Sequence, residues 1–266
     1  MYHRDRRRAE RFGEEAERYD RARPGYPQTL VDDLMAESPR TVLDVGCGTG
    51  KAGQLLVECE CRVLGLEPDP RMAAVAARRG IDVERSTFEA WEPAGRTFDL
   101  LIAAQSWHWV DPAVGPAKAG TVLRPGGRIA LFWTLFKHDT ESQAVLAEIY
   151  RRVEPSLSED SGVLGTVKRG GASLHIAQLA ATGMFEKPRM RRYTWDRSYT
   201  TNEWLDQLPT HSDHRLLGPE RLAALVSAVG AAIDERLGGS LHLRFEVWMI
   251  TARRAQQAPT RSHPTR

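Results

Sequence analysis

The sequence predicts an α/β protein whose core is a mostly parallel β-sheet with helices on both faces. Short apolar runs rich in β-branched residues alternate, through the first half of the chain, with stretches of helical apolar spacing. A glycine-rich turn follows the first run, and the connections between runs are long enough for crossover helices. This alternation is typical of a parallel sheet that is covered on both faces.

The first half supplies five predicted strands and the helices between them. The strands are expected at residues 41–45, 62–66, 81–85, 98–104 and 128–133. Helices are expected at residues 50–58 and 70–79. Asp69 is placed to cap the second helix, and Pro70 lies in its first turn, where the missing N–H costs no hydrogen bond.

The pattern changes in the second half of the chain. Helices are expected at 139–153 and at 174–182, the latter ended by Gly183, with a Ser-, Gly- and Glu-rich connection up to residue 171 between them. Residues 185–195 and 241–253 alternate as strands, and residues 200–239 between them are mostly helical. We therefore expect the following division: a helical arm at 1–40, a sheet domain at 41–254, insertions at about 135–171 and 200–239 that cover the carboxyl ends of the strands, and a disordered tail at 255–266.

Composition excludes several classes of protein. The chain has 266 residues, 41% apolar and 27% charged, as in an ordinary globular protein, and its net charge of +2 does not indicate a nucleic-acid partner. The longest apolar run, residues 129–136, is far below the roughly 20 residues of a membrane helix, and no hydrophobic signal segment opens the chain. Three cysteines make no disulfide framework, so a reducing cytoplasm is the expected compartment.

The strongest functional signal is an apolar strand that reaches an acid and then three alternating glycines. Residues 42–50 read VLDVGCGTG, which puts Asp44 near the end of the strand. The glycines let the backbone bend tightly against a ligand before a helix begins. Glu67 ends the second predicted strand, where a carboxylate can accept hydrogen bonds from both hydroxyls of a ribose. Together these residues predict a site for an adenosine ligand.

The type of adenosine ligand follows from charge. A dinucleotide fold places a third small residue where this chain has Lys51, and Asp44 would repel a pyrophosphate. S-adenosylmethionine has no phosphate and carries a sulfonium and an ammonium, so an acid beside it is favourable. We therefore expect S-adenosylmethionine as the cofactor.

These residues resemble the class I S-adenosylmethionine-dependent methyltransferases. The DVGCGTG stretch is similar to their first motif, FDLLIAAQ at 98–105 to their fourth strand, and LRPGG at 123–127 to the turn before their fifth. Residues 19–27 and QSWHW at 105–109 are most similar to the group that includes trans-aconitate and ubiquinone-pathway enzymes and acts on small molecules. The resemblance implies a Rossmann-like, seven-stranded, mostly parallel sheet whose final hairpin supplies the antiparallel strand.

The resemblance also implies a set of cofactor contacts. The residues expected to bind the cofactor are Asp44, Gly46, Cys47, Gly48, Gly50, Glu67, Pro68, Met72, Phe88, Gln105, Tyr19 and Arg23. One position departs from the family, which usually has an acid before a small residue after the third strand, whereas this chain reads STFE at 86–89. The adenine amine is therefore left without an assigned partner, and Phe88 is expected to stack on adenine.

The methyl acceptor is expected to be a small molecule with a carboxylate, a hydroxyl or phenol, or an acidic carbon, which binds at the carboxyl edge of the sheet and takes the methyl group by in-line displacement. The residues expected to contact it are Tyr26, Trp107, Trp109, Trp204, His211 and Arg215. The tryptophans are equally suited to simple packing. His108 is a candidate general base or a donor that orients the acceptor, with packing as the alternative. His211 and His214 have a spacing that can bind a metal, but with no third ligand in view a solvated helix start is expected and no metal is predicted.

Two other classes of function stay open on the sequence alone. A nicotinamide-dependent oxidoreductase has the same kind of fold, and a noncatalytic module could bind S-adenosylmethionine without transferring its methyl group. Residues 200–239 also carry an apolar stripe that would suit a dimer interface or an internal helix pair. We expect a monomer or homodimer, with neither nucleic acid nor membrane as a partner.

Overall fold

The computed structural model describes residues 16–157, 162–164, 171–211 and 213–256. Within these ranges seven strands form one sheet in the order β3-β2-β1-β4-β5-β7-β6. The strands are β1 (Thr41–Val45), β2 (Arg62–Leu66), β3 (Asp82–Glu84), β4 (Phe98–Ala104), β5 (Leu123–His138), β6 (Arg189–Thr200) and β7 (Ser240–Arg253). β1 to β5 pair in parallel, whereas β7 runs antiparallel to both β5 and β6. The predicted fold class is confirmed.

Helices connect the strands and cover the sheet. They are α1 (Ala16–Ala22), α2 (Gln28–Met35), α3 (Lys51–Val57), α4 (Pro70–Ala77), α5 (Gly115–Val122), α6 (Thr140–Val153), α7 (Gly171–Ala181), α8 (Thr201–Gln207) and α9 (Pro219–Arg236), with a 3-10 turn at Trp107–Trp109. Asp69 caps α4 as predicted, because its carboxylate accepts the Arg71 N–H at 2.8 Å. Gly183 follows α7 with φ 65°, as expected for a helix stop.

Each central strand buries side chains on both of its faces. In β1, Leu43 and Val45 belong to the apolar cluster on one face of the sheet, and Val42 belongs to the cluster on the other. In β4, Leu101 faces the first cluster and Ile102 the second. This two-sided burial explains why these strands read as continuous apolar runs.

A third apolar cluster joins the helices of both insertions to the far end of the sheet, where Tyr199 of β6 and Leu243 and Phe245 of β7 belong to it. α6 and α9 pack together there, with Trp204 of α8 and Tyr150 of α6 fully buried between them. The predicted stripe on α9 faces this cluster, since Leu225, Val229 and Ile233 are completely buried within the chain. The stripe therefore serves internal packing.

Two strands differ from their predicted bounds by more than two residues. β5 begins at Leu123 rather than at 128, because Leu123 pairs with Phe98 of β4 before a shift in register. It continues to His138 rather than ending at residue 133, because β7 pairs with it as far as His138 opposite Leu243. The first insertion thus leaves the sheet after His138 and not at 135. The strand predicted from residue 185 begins at Arg189, since Pro188 lacks an N–H for the ladder and Phe185 makes only an isolated bridge. It extends to Thr200, where its pairing with β7 ends.

The helix α1 joins the sheet domain to the second insertion. Its ion pairs are Glu17–Arg78 and Asp20–Arg79 on the sheet side and Arg18–Asp206 and Arg21–Asp206 on the α8 side, the last two at 3.2 and 3.1 Å. The predicted arm therefore lies against both parts of the chain. Residues 1–15 of that arm and 257–266 of the predicted tail are outside the described residues, and the division into arm, domain and insertions remains a prediction.

Candidate functional site

The site lies where the order of strands along the chain reverses, between the carboxyl ends of β1 and β4. Ligands bind at such a switch point in doubly wound sheets. The two strand ends touch here: a Cβ added at Gly46 would lie 2.7 Å from Cβ of Ser106, and the Ser106 hydroxyl donates to the Val45 carbonyl. Gln105 has φ 60° and donates from Nε2 to the Thr134 carbonyl at 3.1 Å, which ties the turn after β4 to β5. Only glycine fits at position 46.

The glycine turn has the backbone that its sequence predicts. Gly46, Gly48 and Gly50 all have positive φ, of 65°, 58° and 80°, and Gly50 opens α3. The Cys47 side chain is buried against β2, since a Cβ on Gly65 would meet its Sγ at 2.6 Å, and its thiol lies 3.9 Å from the Gly48 carbonyl.

Glu67 lies against this turn. Its carboxylate accepts the N–H of Gly48 at 3.0 Å and the N–H of Asp69 at 2.9 Å, which fixes its orientation. Burial raises the pKa of Glu67 to about 7. Pro68 is exposed beside it, and the Met72 methyl lies 3.6 Å from the position of a Cβ on Gly48. The predicted ribose acid, the glycine turn and Met72 are thus brought together.

Asp44 is fully buried, and no donor among the described residues is in hydrogen-bond geometry with either of its oxygens. Burial raises its pKa to about 7, the nearby Glu67 carboxylate adds to the rise, and the neighbouring Gly53 N–H opposes it. The Thr49 hydroxyl in the same turn is also buried without a partner. Since a buried unpaired carboxylate is costly, this arrangement suits a ligand that brings a positive charge.

The arm places three predicted residues at the site. Arg23 lies 5.3 Å from the Tyr19 ring, donates to the Thr210 carbonyl at 3.0 Å, and has a buried Nε without a hydrogen-bond partner. Its own carbonyl accepts from Lys51 at 2.8 Å. Tyr26 packs edge-on against Phe132, and burial, then Tyr19, then Asp44 raise its pKa. The arm thus links the glycine turn to the second insertion.

The aromatic residues after β3 and β4 divide into core and edge. Trp107 and Phe88 are buried in the sheet core, where Phe88 is flanked by Trp91 at 6.5 Å and Trp107 at 5.8 Å. Their rings are largely occupied by packing, and the contact of Phe88 with adenine stays a prediction. His108 and Trp109 are half-buried, and their ring centroids are 4.9 Å apart. Glu89 of the departing STFE stretch accepts the Asp111 N–H at 2.6 Å.

The second insertion contributes buried polar groups. Trp204 is completely buried with its indole N–H unpaired, and His211 is 7% exposed with Nε2 unpaired. Burial, then Arg23 and His214, lower the pKa of His211 well below its usual value. Arg215 is half-buried and donates to the Pro209 carbonyl at 2.8 Å. Trp204, His211 and Arg215 are three of the six predicted acceptor residues, and they lie in one segment. Arg23 contacts this segment at the Thr210 carbonyl.

The expected solvated helix start at His211 and His214 is wrong. His214 is completely buried and bonds to the Asp213 carboxylate at 2.8 Å through Nδ1 and to the Tyr150 hydroxyl at 2.7 Å through Nε2. Packing of α6 against this segment buries the pair, which sequence spacing cannot show. No group of three His, Cys, Asp or Glu side chains in the described ranges could hold a metal ion. None of the described helices has the length and apolar character needed to cross a membrane.

Sequence reasoning missed several residues of this region. Thr49 and Ser106 adjoin predicted residues and could have been found from their positions beside Gly48 and Gln105. Trp133, His175 and Tyr150 had no such signal. They lie on a strand interior and on two helices, and only packing brings them to His108 and His214.

Comparison with known proteins agrees with this geometry. Residues 42–127 match the family profile described as a methyltransferase domain. An uncharacterized methyltransferase of Mycobacterium bovis is 40% identical over 124 residues, which are 46% of this chain and 51% of that protein. A trans-aconitate 2-methyltransferase of Mycobacterium ulcerans is 33% identical over 135 residues, half of each protein. The matches thus span about half the length of these relatives.

Solved structures extend the similarity beyond that half. A candidate type II methyltransferase from Anaeromyxobacter dehalogenans is 25% identical with a TM-score of 0.63, over 88% of this chain and 99% of that one. The YcgJ protein from Bacillus subtilis, 15% identical with a TM-score of 0.51, covers 86% of this chain and 97% of its own and shares the fold. The predicted resemblance is confirmed, and neither the oxidoreductase nor the noncatalytic module gains support.

Proposed function

We propose that this chain, which carries a methyltransferase domain of the class I, S-adenosylmethionine-dependent type, transfers a methyl group from that cofactor to a small molecule. The buried carboxylate of Asp44, without a hydrogen-bond partner and beside Glu67 at the glycine turn, carries the proposal. A dinucleotide would bring further negative charge to this position, whereas a sulfonium and an ammonium compensate it. The methyltransferase relatives support the same conclusion.

The residues present fit S-adenosylmethionine. Glu67 keeps lone pairs for ribose hydroxyls after accepting its two backbone N–H groups. Gly48 leaves open the space that a side chain would fill, bounded by the Met72 methyl. Asp44 would face the cationic part, and the unpaired Nε of Arg23 is available to a carboxylate. When bound, the cofactor supplies an electrophilic methyl carbon on a positively charged sulfur.

The chain's own contribution to the reaction is positioning. Methyl transfer by in-line displacement requires the nucleophile about 3 Å from the methyl carbon, on the side opposite the sulfur, with water excluded. The ion pairs of α1 hold the arm over the glycine turn and against α8, which closes the site on two sides. The fixed turn after β4, tied to β5 through Gln105, holds His108 and Trp109 at the same edge.

The acceptor is proposed to bind between the arm and the second insertion. Tyr26, Trp204, His211 and Arg215 are the residues we assign to it, together with Trp109. Trp204 and His211 carry the assignment, because each is more than nine-tenths buried and leaves a ring nitrogen unpaired. Buried polar groups without partners are uncommon in native proteins and are satisfied when a polar ligand binds.

Compartment and assembly follow from weaker features. We place the protein in the cytoplasm because all three cysteines are free, and Cys47 and Cys61 are buried as thiols. A monomer or homodimer is proposed, with no partner other than the small molecule.

The decisive experiment has two steps. Calorimetric titration with S-adenosylhomocysteine and, separately, with NAD is expected to show binding of the first alone. A screen of small acids, phenols, amines and quinone precursors with isotope-labelled methyl donor is then expected to label at least one compound. Binding of NAD would overturn the cofactor assignment. Tight cofactor binding with no labelled product in a broad screen would count against methyl transfer.

A further inference from the structure

His108 is held by a hydrogen bond that fixes where its proton lies. The indole N–H of Trp133 donates to Nδ1 of His108 at 3.3 Å. An indole nitrogen can only donate, so Nδ1 must present a lone pair. In the neutral ring the proton then lies on Nε2, at the opposite edge of the imidazole.

Trp133 is itself fixed in place by a residue from a distant part of the chain. Its ring is stacked on that of His175 in α7, with centroids 4.9 Å apart and planes within 5°. His175 is anchored in turn through Nδ1 to the Gln178 side chain at 3.0 Å, and burial lowers its pKa, which keeps it neutral. Gln178, His175 and Trp133 thus form a continuous support behind His108.

The location of His108 gives this support a role. The residue lies in the 3-10 turn after β4, two residues beyond Ser106, whose side chain contacts the glycine turn. We propose that Trp133 and His175 are positioning residues that hold His108 in its Nε2–H form, so that His108 donates a hydrogen bond to the methyl acceptor instead of removing a proton from it. This inference rests on the methyltransferase function proposed above.

The proposal restricts the chemistry of the acceptor. Its nucleophilic atom attacks with a lone pair that it already has, this pair forms the bond to the methyl carbon, and the carbon–sulfur pair returns to sulfur. No proton passes to His108 in this step. A hydroxyl that must first be deprotonated is therefore a poor acceptor, whereas an oxygen that already carries its charge is a good one.

The tautomer can be measured without any knowledge of the acceptor. Long-range proton–nitrogen correlation spectra of the full chain, labelled on histidine, are expected to show His108 protonated on Nε2 and not on Nδ1. In Trp133→Phe the ratio of the two tautomers should shift by about fivefold toward Nδ1–H, the change expected for loss of one hydrogen bond. The control Trp195→Phe removes an indole from the same sheet and should leave the His108 signals unchanged. A wild-type His108 protonated on Nδ1, or a ratio unmoved in Trp133→Phe, overturns the proposal.

Two pairs of variants test the role in turnover once an acceptor is known. Glutamine keeps a donor near the position of Nε2 but cannot act as a base, so His108→Gln should retain at least about ten times the kcat of His108→Leu. His175→Phe keeps the stacking on Trp133 and should restore the tautomer ratio that His175→Ala disturbs. Equal loss of kcat in both His108 variants would refute the donor role. Absence of any methylated product would refute the proposed function, while the tautomer measurement would still decide whether Trp133 and His175 fix the ring.

Discussion

The glycine turn and the second insertion both bury polar groups without partners, but the groups differ in kind. At the turn they include a carboxylate, Asp44, whose pKa burial raises to about 7. In the insertion they are uncharged nitrogens, on the amide of Gln207, on the Trp204 ring and on the ring of His211, whose pKa burial lowers. Burial favours the neutral form of both kinds of group, which moves an acid and a base in opposite directions.

The difference indicates what each region is built to receive. A positively charged ligand stabilises the charged form of Asp44 and offsets the free energy lost when its carboxylate is removed from water. The turn therefore suits a sulfonium compound. The insertion holds neutral groups that pair with oxygen or nitrogen atoms, which suits a polar, uncharged part of a ligand. Arg23 and the rest of the arm join the two regions.

The largest effect on cofactor binding is expected from a substitution at Gly48 in the glycine turn. Gly48→Val is expected to weaken S-adenosylhomocysteine binding at least about a hundredfold, because a β-branched residue strains at φ 58° and fills the space beside Met72. Calorimetry measures the affinity, and circular dichroism checks the fold. The control Gly171→Val adds the same side chain in open space and should bind normally. Native affinity in a folded Gly48→Val protein would reduce the glycine turn to a structural feature.

The charge at the turn can be tested through stability. An aspartate loses its proton near pH 3.9 when unfolded and near 7 here, so the folded state holds a proton that the unfolded state has released between these values. Wild-type stability is therefore lowered, relative to Asp44→Asn, as pH rises from about 4 to about 7. A shift of about three pKa units corresponds to about 4 kcal/mol, and because Glu67 titrates in the same range we expect the difference to reach about half of that, about 2 kcal/mol.

Urea unfolding of both proteins across this pH range measures that difference. Only the difference is informative, since buried histidines such as His211 and His175 make stability fall at low pH, the opposite sign. The exposed Asp82→Asn makes the same change of side chain at the surface and is the matched control. A constant offset between Asp44→Asn and wild type would mean that folding does not raise the pKa of Asp44.

Replacing Glu67 is expected to weaken cofactor binding less than Gly48→Val does. Glu67→Ala should lower cofactor affinity about tenfold. Charge-assisted hydrogen bonds contribute about 1.5 to 3 kcal/mol, and water that replaces the carboxylate recovers part of this loss. Titration calorimetry on the folded variant provides the measurement. Glu92→Ala removes an exposed glutamate nearby in sequence and should bind as wild type does. Unchanged affinity in Glu67→Ala would remove ribose binding from the proposed role of Glu67.

Trp204 tests the proposed role of the second insertion in binding the acceptor. Trp204→Phe keeps an aromatic ring but removes the unpaired N–H, so we expect acceptor KM to rise about threefold to tenfold with cofactor affinity unchanged. In the absence of acceptor, the substitution removes no hydrogen bond, so it should not lower the free energy of unfolding through lost hydrogen bonding. Trp248→Phe, which removes an indole bonded to Glu246 at 3.1 Å, is the control. An unaltered KM would return Trp204 to packing alone.

The parallel strands and the turn at the cofactor end could be predicted from the local sequence. Both depend on local features: β1, β2 and β4 lie at their predicted residues because they are short apolar runs bounded by turns, and the glycines at 46, 48 and 50 adopt the positive φ that other residues resist. The orientation of Glu67 is only partly local: the Asp69 N–H is two residues away, whereas the Gly48 N–H reaches Glu67 because β1 pairs with β2.

The extent of β5 and β6 and the surroundings of the histidines depend instead on tertiary packing. Pairing with β7 lengthens both strands beyond their apolar runs, and packing of α6 buries His214, which the sequence presents as a polar helix start. Trp133 reaches His108 from 25 residues away, and His175 reaches Trp133 from another helix. Such contacts depend on which elements pack together, and that choice is made by the burial of the whole chain and not by any local pattern.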